Sequence, residues 1–385
     1  MKIVENVLLN SKFGLHTNDT GTLLKNGLPY KGVGVNFFNG FSRVLADPAD
    51  SSYVSGFEEL KRYGVPFIRF MAGGYWPSDN RLYLEDKAAY YERMDAFVAA
   101  AERLEIGLLP SLFWYHANVP DLMGEPRSCW GVPGSRTLAF LEQYTTEMVQ
   151  RYAGSPAIWG WEFGNEYNLE QDLPNAEHCR PPIVPLMGTA ETRSAEDDLG
   201  SDMLHTAYRL FAETVRKHDP HRIVISGSSI PRATAWHQLR EGIFADDTEA
   251  QFQAMLAWDS PDPFDVLSAH YYLSESERFG EQRATDKLLR LMQETARQTG
   301  KPLFIGEFGV PDTLTDGTVD PARARALIEE MTEALRRADV PLSALWVYDY
   351  KYQPDTTVTG TNERAYQLEL LQRWNAEYKL AGYQP

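Results

Sequence analysis

The sequence predicts an α/β fold: a TIM-type (β/α)8 barrel in a single domain over residues 1–385, with an N-terminal hairpin and long βα loops. Three observations predict it. Eight short apolar runs suited to buried parallel strands alternate with amphipathic helical runs. The 385 residues exceed the roughly 250 that such a barrel needs. The first strand runs into Asn39-Gly40-Phe41-Ser42, not into the Gly-rich phosphate turn that opens a doubly wound sheet.

The elements follow in order. Between about Leu15 and Tyr30, Asn26-Gly27 separates two extended segments, which reads as a hairpin plugging the barrel floor. The predicted strands are 32–38, 66–71, 107–113, 158–165, 222–227, 265–271, 303–309 and 344–350. Helical periodicity covers 90–104, 135–152, 203–218, 283–299 and 321–338, and a closing helix runs from Asn362 to about Leu380. Connections 114–134 and 167–200 are long and carry prolines. Both leave the C-terminal ends of strands, the face on which barrel enzymes build their sites.

Composition narrows the partners. A net charge of −17 opposes nucleic acid and anionic membrane surfaces. It is neutral toward an uncharged ligand such as a sugar. Nine Trp and 20 Tyr supply rings on which sugar C–H faces can pack, although large barrels also use many rings in their cores. No His, Cys or carboxylate cluster shows metal-ligand spacing, so neither a metal nor another cofactor is expected. The first 14 residues lack a leader pattern and no run of about 18 apolar residues exists, which points to a cytoplasmic protein, or to a secreted one if a leader has been trimmed away. In that setting Cys129 and Cys179 are expected as free thiols; the alternative is a bridge between the two long loops. Nothing in the sequence signals an oligomeric state.

The chemistry lies in two carboxylates. The fourth strand reads Ile158-Trp159-Gly160-Trp161-Glu162-Phe163-Gly164-Asn165-Glu166, and the seventh Leu303-Phe304-Ile305-Gly306-Glu307-Phe308-Gly309. A carboxylate on a buried strand is costly unless paired or functional. Either Glu alone fits a structural ion pair. Two of them, at the ends of strands on opposite sides of one barrel mouth, suit glycosidic cleavage: one carboxyl protonates the leaving oxygen and the other attacks the anomeric carbon.

These motifs resemble clan A glycoside hydrolases, closest to the cellulase and β-mannanase barrels of family five. The resemblance covers the barrel from Gly32 to Tyr350. It implies a retaining β-glycosidase acting on gluco- or manno-configured chains, with Glu166 as acid/base and Glu307 as nucleophile. It also implies that Arg69 steadies the nucleophile, that Asn165 meets the sugar 2-hydroxyl, and that His270 and Tyr272 form the family's His-x-Tyr. Trp346 would lie beneath the sugar at the cleavage point. Trp114 is expected to line the pocket as well. His116 is displaced by a few residues from the family's strand-three His, which leaves its role among the substrate-binding residues open. Glu162, four residues before Glu166, reads as a buried partner of Arg69.

Three other functions compete: a carbohydrate-binding barrel without catalysis, a transglycosylase using the same site, and a metal- or phosphate-dependent barrel enzyme. The presence of both Glu residues and their supports opposes the first. The lack of ligand spacing and of a phosphate loop opposes the last.

Overall fold

A computed structural model describes residues 13–273, 278–281, 285–313 and 317–384. Most of the segment read for a leader, and the start of the helix predicted from residue 283, lie outside the described residues.

A small antiparallel sheet comes first. β1 (Leu15–Thr17) pairs with β2 (Leu23–Lys25), and β2 with β3 (Leu28–Pro29). Asn26 and Gly27 turn the chain between β2 and β3 at φ 54° and 78°, the backbone that favours Asn-Gly in a two-residue hairpin loop. The sheet closes the barrel floor, as the sequence predicts. Leu15 N–H donates to the Trp159 carbonyl at 2.8 Å. Leu15, Leu23 and Tyr30 are buried with Phe67, Leu109, Ile223, Phe304 and Leu342, which point inward near the N-terminal ends of barrel strands.

Eight parallel strands follow: β4 (Gly32–Asn36), β5 (Phe67–Met71), β6 (Gly107–Phe113), β7 (Gly160–Gly164), β8 (Ile223–Ile225), β9 (Leu267–His270), β10 (Leu303–Phe308) and β11 (Leu342–Leu345). Every residue in them is buried, as expected of a parallel sheet sheathed in helices. Neighbours run β8-β7-β6-β5-β4-β11-β10-β9. The first and last strands therefore pair, with Gly34 opposite Ala344. The β8–β9 seam closes by single bonds: Asp265 N–H donates to the Val224 carbonyl at 3.0 Å, and the Asp265 carboxylate accepts from Val224 N–H at 2.6 Å.

The predicted eighth strand, 344–350, is displaced in the structure. Its ladder covers Leu342–Leu345. Beyond it the chain splits its bonds between two neighbours: Trp346 N–H donates to Phe308 and Tyr348 N–H to Asn36, each at 2.8 Å. The aromatic run that reads as strand is thus the splayed C-terminal end of β11.

Helices Lys87–Leu104, Arg136–Tyr152, Ser201–His218, Thr285–Thr299, Pro321–Arg337 and Ala365–Leu380 occupy the predicted positions. Asp86, Ser135 and Asp320 cap three of them, accepting from the N–H of Ala89, Leu138 and Arg323. Among the described residues, no helix is long and apolar enough to cross a membrane. The two long loops are tied by Arg193, which donates to both oxygens of Asp121 at 2.6 and 2.7 Å. Cys129 and Cys179, one in each loop, are both free.

Candidate active site

Arg69, on β5, is fully buried and organises the barrel mouth. Its Nε donates to both oxygens of Glu162 at 2.8 and 2.9 Å. One terminal nitrogen donates to Glu307 Oε1 at 2.8 Å and to Asn36 Oδ1 at 3.0 Å, and the other donates to Asn165 Oδ1 at 2.8 Å. The guanidinium also lies 4.5 Å from the centre of the Trp114 ring. A planar fork with five donors can serve four partners at once; a lysine cannot. Glu162 is therefore the partner of Arg69 that the sequence suggests.

Glu307 ends β10 with its side chain 5% exposed. Its second oxygen accepts from Tyr272 O–H at 2.7 Å. Glu166 stands just past β7 at φ 56°, a left-handed backbone that costs a non-glycine residue about 1–3 kcal/mol. Its N–H donates to the Gly227 carbonyl at 2.9 Å. Gly227 has to be glycine: at φ 76°, a Cβ would lie 1.9 Å from the Gly164 carbonyl oxygen. The turn carries the Glu166 carboxyl, 29% exposed, to His270 Nδ1 at 3.0 Å. The same nitrogen is 3.6 Å from Glu307 Oε1.

These contacts set the charges. Burial pushes the Glu307 carboxyl up and the Glu166 charge adds to this, while His270, Arg69 and Tyr272 oppose it. Burial also pushes Glu166 up, but its bonds to His270 and Ser229 pull it below the usual carboxylate range. Arg69 supplies one positive charge against Glu162, Glu166 and Glu307, so the cluster favours taking up a proton. Both Glu307 oxygens accept from donors, Arg69 and Tyr272, and these bonds favour its ionised form.

Sequence spacing gives no metal-ligand cluster, yet folding creates one candidate. One donor atom each from Glu166, His270 and Glu307 lies within 4.8 Å of the others. They come from the ends of β7, β9 and β10, too far apart in sequence for any spacing rule to join them. The Arg69 guanidinium beside Glu307 opposes a cation there by charge.

The aromatic residues divide. Trp346 is half-buried and donates to Gln353 Oε1 at 2.7 Å. Trp114 is only 4% exposed. It packs with Phe38, Met71 and Val347 and stacks behind Trp346, with ring centres 6.4 Å apart. Trp114 thus backs Arg69 and Trp346 because the β6 chain is still buried where it leaves the strand.

His116 is also placed differently from a substrate contact. It is buried; Arg127 donates to its Nδ1 at 3.1 Å, and its Nε2 lies 3.2 Å from Glu170 Oε1. Both ring nitrogens are engaged by protein. The group with exposed surface is Glu170, at 33%, beside half-buried Tyr75, Trp76 and Tyr115. Sequence reading misses these four. Their one signal is position: each lies within five residues after β5 or β6, or shortly after Glu166.

A parallel barrel with an Arg-anchored carboxylate and a second carboxyl group facing it across the mouth has the form of a glycosidase. Residues 32–350 match the family described as cellulase (glycosyl hydrolase family 5), and the chain belongs to that family. No curated protein matches the chain by sequence. Solved structures share the fold. An endo-1,4-β-mannanase from Rhizomucor miehei superposes with a TM-score of 0.65 at 14% identity, covering 94% of this chain and 99% of that one. An exo-β-1,4-mannosidase from Opitutaceae bacterium strain TAV5 gives 0.65 at 15% identity, covering 96% and 63%. An endoglucanase from Pseudomonas stutzeri gives 0.52 at 17%, covering 94% and 97%.

Proposed function

We propose that this glycoside hydrolase cleaves β-linked gluco- or manno-configured chains with retention, Glu307 acting as nucleophile and Glu166 as general acid/base. One observation carries the reading: one carboxylate oxygen of Glu166 lies within 4.8 Å of one of Glu307. Carboxyl groups about 5–5.5 Å apart suit attack on the sugar, whereas inversion needs about 6.5–9.5 Å to admit a water. The names of the structural neighbours, mannanase, mannosidase and endoglucanase, support the substrate range.

The residues divide the work as follows. Glu166 gives its proton to the glycosidic oxygen as Glu307 Oε attacks the anomeric carbon. The glycosidic C–O bond breaks, the aglycone alcohol leaves, and a glycosyl ester forms on Glu307. Glu166, now ionised, takes a proton from water, and the hydroxide attacks the same carbon and releases Glu307. Arg69 and Tyr272 hold Glu307 as the anion and orient it. The Asn165 amide oxygen is committed to Arg69, which leaves its N–H groups for the sugar 2-hydroxyl. The Trp346 ring supports the sugar from below. His270 positions the Glu166 carboxyl through their 3.0 Å contact.

Proton NMR of the first product tests the proposal. A β-anomer that appears first and then mutarotates is expected. An α-anomer appearing first overturns retention.

A further inference from the structure

Beside the carboxylate pair lies a built surface that the mechanism does not use. Tyr75 and Tyr115 stack with centres 4.8 Å apart and planes 3° apart, and Trp76 packs edge-on to both at 5.1 and 5.6 Å. All three are half-buried. Tyr75, Trp346 and Tyr350 pack on the same cluster of Phe38, Met71, Trp114 and Val347. The aromatic triad is therefore continuous with the ring beneath the cleavage point.

Two carboxylates meet this wall: Asp79, which accepts from the backbone N–H groups of Tyr75 and Trp76, and Glu170, whose side chain is held by other side chains. Glu170 interacts electrostatically with Tyr75 and Tyr115. Its Oε1 is held by His116 Nε2 at 3.2 Å and its Oε2 by Arg127 at 2.7 Å. Because Arg127 donates to Nδ1 of His116, the imidazole proton sits on Nε2 and points at Glu170. These contacts, with burial opposing them, hold the carboxyl at a pKa of about 2. Each carboxylate oxygen has two lone pairs, and each has one protein donor here. Two acceptor positions remain, fixed in direction by a buried Arg and a buried His. The wall ends where the β7 loop reaches the β5 loop: Met187 Sδ is 3.8 Å from Ser78 Oγ, and a Cβ on Gly188 would touch Pro77.

We propose that Tyr75, Trp76, Tyr115 and Glu170 form a subsite for one further neutral hexose of the substrate, with Glu170 accepting hydrogen bonds from adjacent sugar hydroxyls. The inference rests on the glycosidase reading of the Glu166–Glu307 site. Aromatic faces suit the C–H side of a pyranose, and a fixed carboxylate suits its hydroxyls. The same carboxylate repels a uronic acid, which restricts the ligand to uncharged sugars. The loop contact at Met187 and Ser78 bounds the wall on this side.

The test compares Glu170→Gln and Trp76→Ala with the wild type on two substrates, an aryl β-monoglycoside and the β-linked trisaccharide of the same sugar. The readout is the ratio of their kcat/KM values. Glu170→Gln should lower the trisaccharide advantage about ten-fold or more, the worth of one hydrogen bond to a charged acceptor, and Trp76→Ala should lower it through the loss of the ring face. Trp76 is a half-exposed loop residue, so its variant keeps the test valid if loss of Glu170 disturbs folding. An unchanged ratio in both variants overturns the subsite. Calorimetric binding of an unreactive thio-linked trisaccharide separates the two readings. If the wild type hydrolyses neither substrate but binds this ligand at least ten-fold more tightly than both variants, the subsite stands and the hydrolase reading fails. Equal binding by all three proteins overturns the subsite.

Discussion

Replacing Tyr272 with Phe removes one atom from the site and leaves the ring in place. That atom donates to Glu307 Oε2 at 2.7 Å, in a place where the Glu307 side chain is 5% exposed. Water cannot readily replace it. A hydrogen bond to a charged group contributes about 1.5–3 kcal/mol. At 1.36 kcal/mol per pKa unit, its loss lifts the Glu307 carboxyl by about 1–2 units. Burial already holds this group above the usual range, so the change adds to an existing rise. The nucleophile must be ionised. A higher pKa leaves a smaller ionised fraction at any acidic pH, and the acid limb of kcat/KM moves to higher pH by the same about 1–2 units. The assay is hydrolysis of an aryl β-glycoside across the acid range by wild type and Tyr272→Phe, with melting temperature as the control for folding. An acid limb that stays in place in a folded variant refutes the reasoning. It would mean that Arg69 alone sets the Glu307 charge, or that Glu307 is not the group titrating.

Two other changes probe different parts of the account. Glu166→Ala should lower turnover about 10²–10⁴-fold on substrates with poor leaving groups, with a much smaller loss in forming the glycosyl ester from activated aryl glycosides. Added azide should restore activity and yield a β-glycosyl azide; an α-azide or no rescue contradicts the acid/base role. Asp259 lies behind the site, accepting from Asn168 and Gln171 at 2.7 Å each, and burial pushes its carboxyl up to about 7. Against about 3.9 in the unfolded chain, its stabilising effect is full below about pH 4 and is lost as pH rises through about 7, because the folded form binds the extra proton. The melting temperature of Asp259→Asn should therefore fall less than that of the wild type between about pH 5 and pH 8; parallel curves would refute this.

The barrel was legible because its strands are short apolar runs bounded by turns, and its helices carry their own caps. Ser135 and Asp320 sit where a capping residue is expected, one position before Arg136 and Pro321. The end of β11 was less legible, since an aromatic run reads as strand whether or not its bonds stay in register. Glu166, Glu307 and Arg69 stood out because a charge on a buried strand requires an explanation, and the Arg69 bonds to Glu162 and Glu307 supply one. The surroundings of His116 and Trp114 were not legible for one reason. Sequence distance from a strand end does not reveal whether a side chain faces the mouth or the layer behind it. Glu170 escaped notice because its place follows from the folding of the β6 loop, where Arg127 and His116 approach it.

The central claim is that Glu307 becomes covalently bonded to the sugar. A 2-fluoro glycosyl inhibitor with a good leaving group slows release of that intermediate enough to isolate it. Peptide mass spectrometry of the inactivated enzyme should find a single fluoroglycosyl group on Glu307. A label on Glu162 or Glu166, or an active enzyme that takes up no label, would contradict the account.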